Sequence, residues 1–260
     1  MDENSSDMAE TATLNAQIAF SGGKMQLQLT VPTGPTRPVE LLPMLRSLTD
    51  GFVNAAVQRA ERSGLTISCC KGCGACCRQI VPLSETEARK IRELVEELPE
   101  PRKSEILARF AAARKRLEEA GLIEILLAPE RADPDQIKRL ILDYFRLGIA
   151  CPFLEEESCS IHVDRPVPCR EYLVVSPAEN CARLSPESVL PLKIPVAVSK
   201  ALRRFDADGG TLPNRWVPLV LALEWSDANP DESAPRPGPE LLQAVFEKLA
   251  GQEATDASVE

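Results

Sequence analysis

The sequence has one histidine, His162, so no H-E-x-x-H pair exists and the zincin arrangement of two histidines on one helix face is excluded. It has no G-x-S-x-G and no glycine-rich phosphate loop, which removes the standard hydrolase elbow and nucleotide cradle. It also lacks a long basic tract. The 30 Lys and Arg stand against 39 Asp and Glu, a formal charge of −9, so no cation patch serves phosphate binding and no nucleic-acid partner is expected. Long apolar runs are missing as well. Val217–Leu223 is broken by Pro218 and falls far short of the ~20 residues that cross a bilayer, so no membrane partner is expected. Met1–Glu10 is polar and acidic where a secretory signal would begin basic and turn apolar, and the expected location is therefore cytoplasmic.

What the chain does have is nine cysteines. In a reducing compartment such a set is expected to hold metal or do redox chemistry rather than form disulfides, and an odd count points the same way. At 260 residues the chain buries a core without help, so metal is not needed merely to compensate for small size.

Along the chain, Leu14, Ala16, Ile18 and Phe20 alternate with polar residues, as do Met25, Leu27, Leu29 and Val31 after Ser21-Gly22-Gly23-Lys24, which predicts a β-hairpin behind a disordered start. A Pro/Gly connector leads into Val39–Arg62, where apolar residues recur at helical spacing. Ser63–Val81 reads as a loop. Ser84-Glu85-Thr86-Glu87 is an N-cap with an acidic first turn, opening a helix to about Leu98. Further helices are predicted over Arg102–Ala120, Pro134–Leu147, Ser188–Phe205 and Glu240–Leu249, with a disordered tail after Gly251. The expected fold class is mainly helical α+β, an N-terminal β-hairpin plus helices around a loop-rich cysteine metal core. Three segments are expected: 1–37, hairpin and connector; 38–226, the metal-binding domain with helical insertions; and 227–260, a Pro-rich linker, helix and tail.

The strongest signal is Cys70-Lys-Gly-Cys73-Gly-Ala-Cys76-Cys77, a C-x2-C-x2-C-C run. Two residues between cysteines let both thiolates face one ion or cluster, and Gly72 and Gly74 permit the tight turns this requires. Lys71 and Arg78 add positive charge that favours the ionised thiol. Cys151, Cys159, Cys169 and Cys181 supply four more thiols in a Pro-rich stretch. Four is the ligand number of a structural zinc site and of a cubane iron-sulfur cluster, so the eight allow two sites, or one with thiols left over. Cys69 falls outside the pattern and reads equally as a spare thiol. His162 reads as a surface or packed imidazole or as a ligand. Arg165 and Arg170 neutralise thiolates, hold a carboxylate or phosphate, or pair structurally with carbonyls and with acids such as Asp164 and Glu171.

On these residues the chain resembles the YkgJ-type cysteine-cluster family, a zinc- or iron-chelating domain with the C-x2-C-x2-C-C signature. The matching positions are Cys70, Cys73, Cys76 and Cys77, then Cys151-Pro152-Phe153-Leu154, Cys159, Arg165-Pro166, Cys169-Arg170 and Cys181; His162 stands where members commonly carry Tyr. The family includes flagellin lysine methylases, and that resemblance implies a 4Fe-4S cluster rather than zinc. The expectation is a metal-binding protein with an iron-sulfur cluster in a redox or transfer role; the alternative is a zinc module whose function lies in binding a protein partner.

Overall fold

The computed structural model describes residues 10–20, 23–183, 188–207 and 215–250. The expected disordered start and tail lie outside these residues, as do Ser21 and Gly22 of the hairpin turn. Strands β1 (Thr11–Phe20) and β2 (Gly23–Pro32) pair antiparallel in a register from Thr11 opposite Pro32 to Phe20 opposite Gly23. The period-two pattern turns Leu29 and Val31 inward. They meet helix α1 (Leu42–Arg62), whose inward stripe is Leu42, Leu45, Leu48, Phe52, Ala56 and Ala60. Helix α9 (Gly238–Ala250) adds Leu241, Leu242, Val245 and Leu249 to the same core, so both ends of the described chain pack together. The short strands β3 (Pro35–Thr36) and β8 (Arg236–Pro237) tie these ends by one more antiparallel pair.

A second core gathers α2 (Glu85–Glu97) and α3 (Arg102–Glu119) around Phe153, with Phe110 meeting the Phe153 ring edge-on at 5.6 Å. A third packs the end of α3 against α4 (Ile123–Leu127) and α5 (Pro134–Leu147). The apolar run from Val217 to Trp225 is shared between these two cores, which explains why nearly all of it is hydrophobic. It begins as strand β7 (Val217–Pro218), paired with β4 (Pro82–Leu83), and continues into α8 (Ala222–Ala228). No described helix is long and apolar enough to cross a membrane.

One helix differs from its sequence-based expectation. Ser188–Phe205 is not helical throughout: α7 spans only Val198–Asp206. Pro191 and Pro195 lack the backbone N–H a helix interior needs, and the segment before α7 lies extended, with Val175 N–H donating to Leu190 (2.9 Å) and Leu192 N–H to Leu173 (2.8 Å). The same hydrogen bonds brace the chain just past Cys169.

Three carboxylates, buried Glu87 and half-buried Glu171 and Asp206, join helices in a closed ring. Glu87 of α2 completes a capping box with Ser84 and also accepts from Val167 N–H (2.7 Å), the start of α6 (Val167–Glu171), which carries Cys169. Glu171 of α6 accepts from the N–H (3.1 Å) and hydroxyl (2.5 Å) of Ser199 in the first turn of α7. Asp206, ending α7, accepts from the N–H (2.9 Å) and hydroxyl (2.6 Å) of Thr86, back in the first turn of α2. Each carboxylate thereby faces orphan helix N–H groups, its favoured position in the dipole field.

Burial raises the Asp206 pKa to about 6 against an ordinary 3.8, despite its bonds to Thr86. A raised carboxylate holds its proton more tightly when folded, so this residue's contribution to stability falls as pH rises from about 4 through about 6. Relative to an Asp206→Asn variant, the wild type is expected to lose roughly 1 kcal/mol of unfolding free energy between about pH 5 and about pH 7.5, read by denaturant titration at both values. A difference between the two proteins that does not change with pH would show that Asp206 stays ionised.

Candidate metal centre

The C-x2-C-x2-C-C segment forms two tight turns. Cys73 N–H donates to Cys70 (3.2 Å) and Cys77 N–H to Gly74 (3.0 Å), leading into a 3-10 turn over Ala75–Arg78. Gly72 sits at φ +86°, a left-handed conformation that a side chain would strain. Gly74 is held for a different reason. A Cβ there would lie 2.5 Å from a Glu157 carboxylate oxygen and 2.8 Å from Leu154 Cδ1, so only glycine lets the second cysteine segment come this close.

That second segment is joined to the first by backbone: Cys151 N–H donates to Cys77 C=O at 2.7 Å. Strands β5 (Leu154–Glu155) and β6 (Ser158–Cys159) form a hairpin whose two turn residues, Glu156 (φ +47°) and Glu157 (φ +56°), are both left-handed, positions that Asn and Gly normally fill. Glu157 is fixed there by a two-pronged bond from Arg78, at 2.5 and 2.8 Å, while Arg78 also donates to Gly74 C=O (3.0 Å). At the hairpin's other strand, Glu155 takes bonds from Arg109 (2.7 Å) and Arg102 of α3. The loop from His162 to Arg170 is fastened to α1 by Arg170–Asp50 (2.8 Å) and Asp164–Arg46 (2.7 Å).

Cys70, Cys73, Cys76, Cys77, Cys151, Cys159 and Cys169, together with Cys69, line one cavity of about 760 Å3. Cys181, on a 3-10 turn over Ala178–Ala182, is buried and lies off the lining. All nine cysteines are free thiols. Among the described residues, no three His, Cys, Asp or Glu side chains stand close enough to close around one ion as placed, so a complete coordination shell requires side-chain rotation. Cys69 Sγ accepts from Val174 N–H at 3.4 Å, which anchors it at the site; its adjacency to Cys70 was the only sign of this in the sequence. His162 is exposed on the cavity rim. Gln79, Tyr172 and Leu219 also line it and went unmarked in the sequence, Leu219 because it arrives from a distant segment.

Electrostatically, Cys76 is central. A hydrogen bond from Cys77, assisted by the Arg165 charge and opposed by burial, brings Cys76 down to about 6, toward its ionised form. Cys77, the donor, is pushed far up, first by that bond and then by burial. Burial raises Cys69, Cys159, Cys169 and Cys181, and carries Cys151 to about 12; the Cys76 charge adds to every one of these shifts. Five thiols from both stretches of chain, and Cys77 beside them, therefore lie within electrostatic reach of Cys76. A thiol shifted toward its ionised form, beside thiols held protonated, is a place at which a thiophilic cation can begin to displace protons.

Residues 69–187 match the family model CxxCxxCC. Its description is "putative zinc- or iron-chelating domain". No curated protein and no solved structure matches the chain. The matched stretch runs from Cys69 past the turn carrying Cys181, and it takes in the hairpin, the His162–Arg170 loop and α2–α6. The description supports metal binding and names two metals, zinc and iron. The donor set agrees with it: eight thiols on one cavity suit a thiophilic metal and not an oxygen-seeking one.

Proposed function

We propose that the CxxCxxCC domain holds an iron-sulfur cluster of the 4Fe-4S type and that this cluster serves a redox or transfer reaction. The candidate ligands are Cys70, Cys73, Cys76, Cys77, Cys151, Cys159, Cys169 and Cys181, with Cys181 the least favourably placed because it stands off the cavity lining. The observation that supports this reading is the space between the two cysteine stretches. A zinc ion and a cubane cluster each take four thiol ligands, so the thiol count fits either. A cavity of about 760 Å3 exceeds what a single ion fills, and a cluster with its inorganic sulfides would use more of it. The cluster supplies electron exchange or Lewis acidity at iron. The chain's own residues shield it from water with apolar walls, hold the two cysteine stretches together through Cys77–Cys151, and keep the hairpin seated through Arg78–Glu157.

The test is anaerobic purification with iron, zinc and sulfide analysis and an absorption spectrum. Brown protein absorbing near ~400 nm, with iron and acid-labile sulfide in about equal amounts, is the expected result. Colourless protein with about one zinc per chain and no sulfide would replace this reading with a zinc-binding structural module.

A further inference from the structure

The cavity holds more than a metal centre requires, and it contains a cation that no carboxylate pairs among the described residues. Apart from its cysteines, much of the lining is apolar, including Ile80, Val81, Phe153, Ile161, Leu173 and Leu219. About 760 Å3 falls within the ~300–1,000 Å3 typical of small-molecule sites. Around it the arginines are committed: Arg170 to Asp50, Arg78 to Glu157, Arg46 to Asp164, and Arg102 and Arg109 to Glu155. Arg165 is different. It lines the cavity, its Nε is buried without a hydrogen-bond partner, and among the described residues no carboxylate lies within ion-pair distance of it. Leaving a buried donor unmet is costly, the more so on a charged group, and a ligand in the cavity would recover that cost.

We propose that the cavity binds, beside the metal centre, a small organic carboxylate with an apolar body, held by the Arg165 guanidinium. A carboxylate matches one guanidinium in charge and in its two-pronged geometry. A phosphate ester, at about −1.5 to −2, would call for a second cation, and the other basic side chains on the lining, Lys71 and His162, are exposed. The apolar lining takes the body of the molecule. This rests on the metal reading, because a bound centre would fix the cysteine side chains that form the remaining wall of the cavity.

Phenylacetate and its uncharged near-isostere phenylacetamide are suitable probes, titrated calorimetrically into anaerobically isolated protein whose metal content is measured on the same sample. Phenylacetate is expected to bind at least about tenfold more tightly, a difference of about 1.4 kcal/mol. Arg165→Gln is expected to bring the two probes within about twofold while metal content is unchanged, and Arg165→Lys to recover part of the preference. Equal wild-type affinities, or no binding of either probe at about 10 mM, would overturn the proposal. Metal loss in Arg165→Gln that Arg165→Lys restores without restoring the preference would overturn it too, assigning Arg165 to the thiolates instead. A folded, metal-free wild type overturns the metal reading and this proposal together, and metal analysis alone reveals that case.

Discussion

Cys76→Ser is expected to lower metal affinity by more than about 100-fold, whereas Cys181→Ser keeps most of it, as measured by metal-to-protein ratio after anaerobic purification. Changes one step removed from a metal already cost about 10–100-fold, and loss of the central ligand costs more. The asymmetry follows from placement. Cys76 lies on the cavity, is the thiol brought down to about 6, and its charge is felt by thiols from both stretches of chain. Cys181 is buried off the lining and held as a thiol, first by burial and then by the charge of its neighbours. Equal losses in the two variants would show that Cys181 belongs to the coordination shell and that the cavity lining is a poor guide to it.

The second large effect is expected at Gly74. Its backbone (φ −95°, ψ 11°) suits alanine, so any penalty comes from packing alone. An added Cβ meets the Glu157 carboxylate, Leu154 Cδ1 and, at 3.2 Å, the Glu157 Cα, which belongs to a hairpin pinned by Arg78 and by the α3 arginines. Glu157 and Leu154 must retreat, taking Cys159 with them. Gly74→Ala is expected to cost about 1–3 kcal/mol, with a melting temperature lower by about 2–4 °C for each kcal/mol, and to reduce metal content. Adding Glu157→Ala removes the nearest clash and should restore part of the stability but not the Arg78 bond. An unchanged melting temperature in the single variant would mean that the hairpin does not bear on the glycine.

Much of this architecture was legible because its signals are local. The Ser84 capping box, Pro134 in the first turn of α5 and Gly148 just past its end (φ +59°) each satisfy helix-terminal groups within a few residues. Alternation in the hairpin is likewise a short-range pattern. The Ser188–Phe205 helix went wrong where Pro191 and Pro195 outweighed the apolar spacing. The three-carboxylate ring was invisible because each of its bonds crosses between elements, 28 residues apart for Glu171–Ser199 and 120 for Thr86–Asp206.

The candidate site shows the same division. A dense thiol run announces metal chemistry by itself, but the meeting of Cys77 with Cys151 is made by one backbone bond across four helices of intervening chain. Arg165 and Arg170 stand five residues apart and read alike. Only packing separates them, since α1 presents Asp50 to Arg170 while Arg165 faces the cavity with no such partner.

The central claim is that sulfur, and not nitrogen or oxygen, surrounds the metal centre. X-ray absorption at the metal edge of the anaerobically purified protein measures that first shell directly. An all-sulfur shell at about 2.3 Å is expected. A shell dominated by nitrogen or oxygen near 2.0–2.1 Å would contradict it.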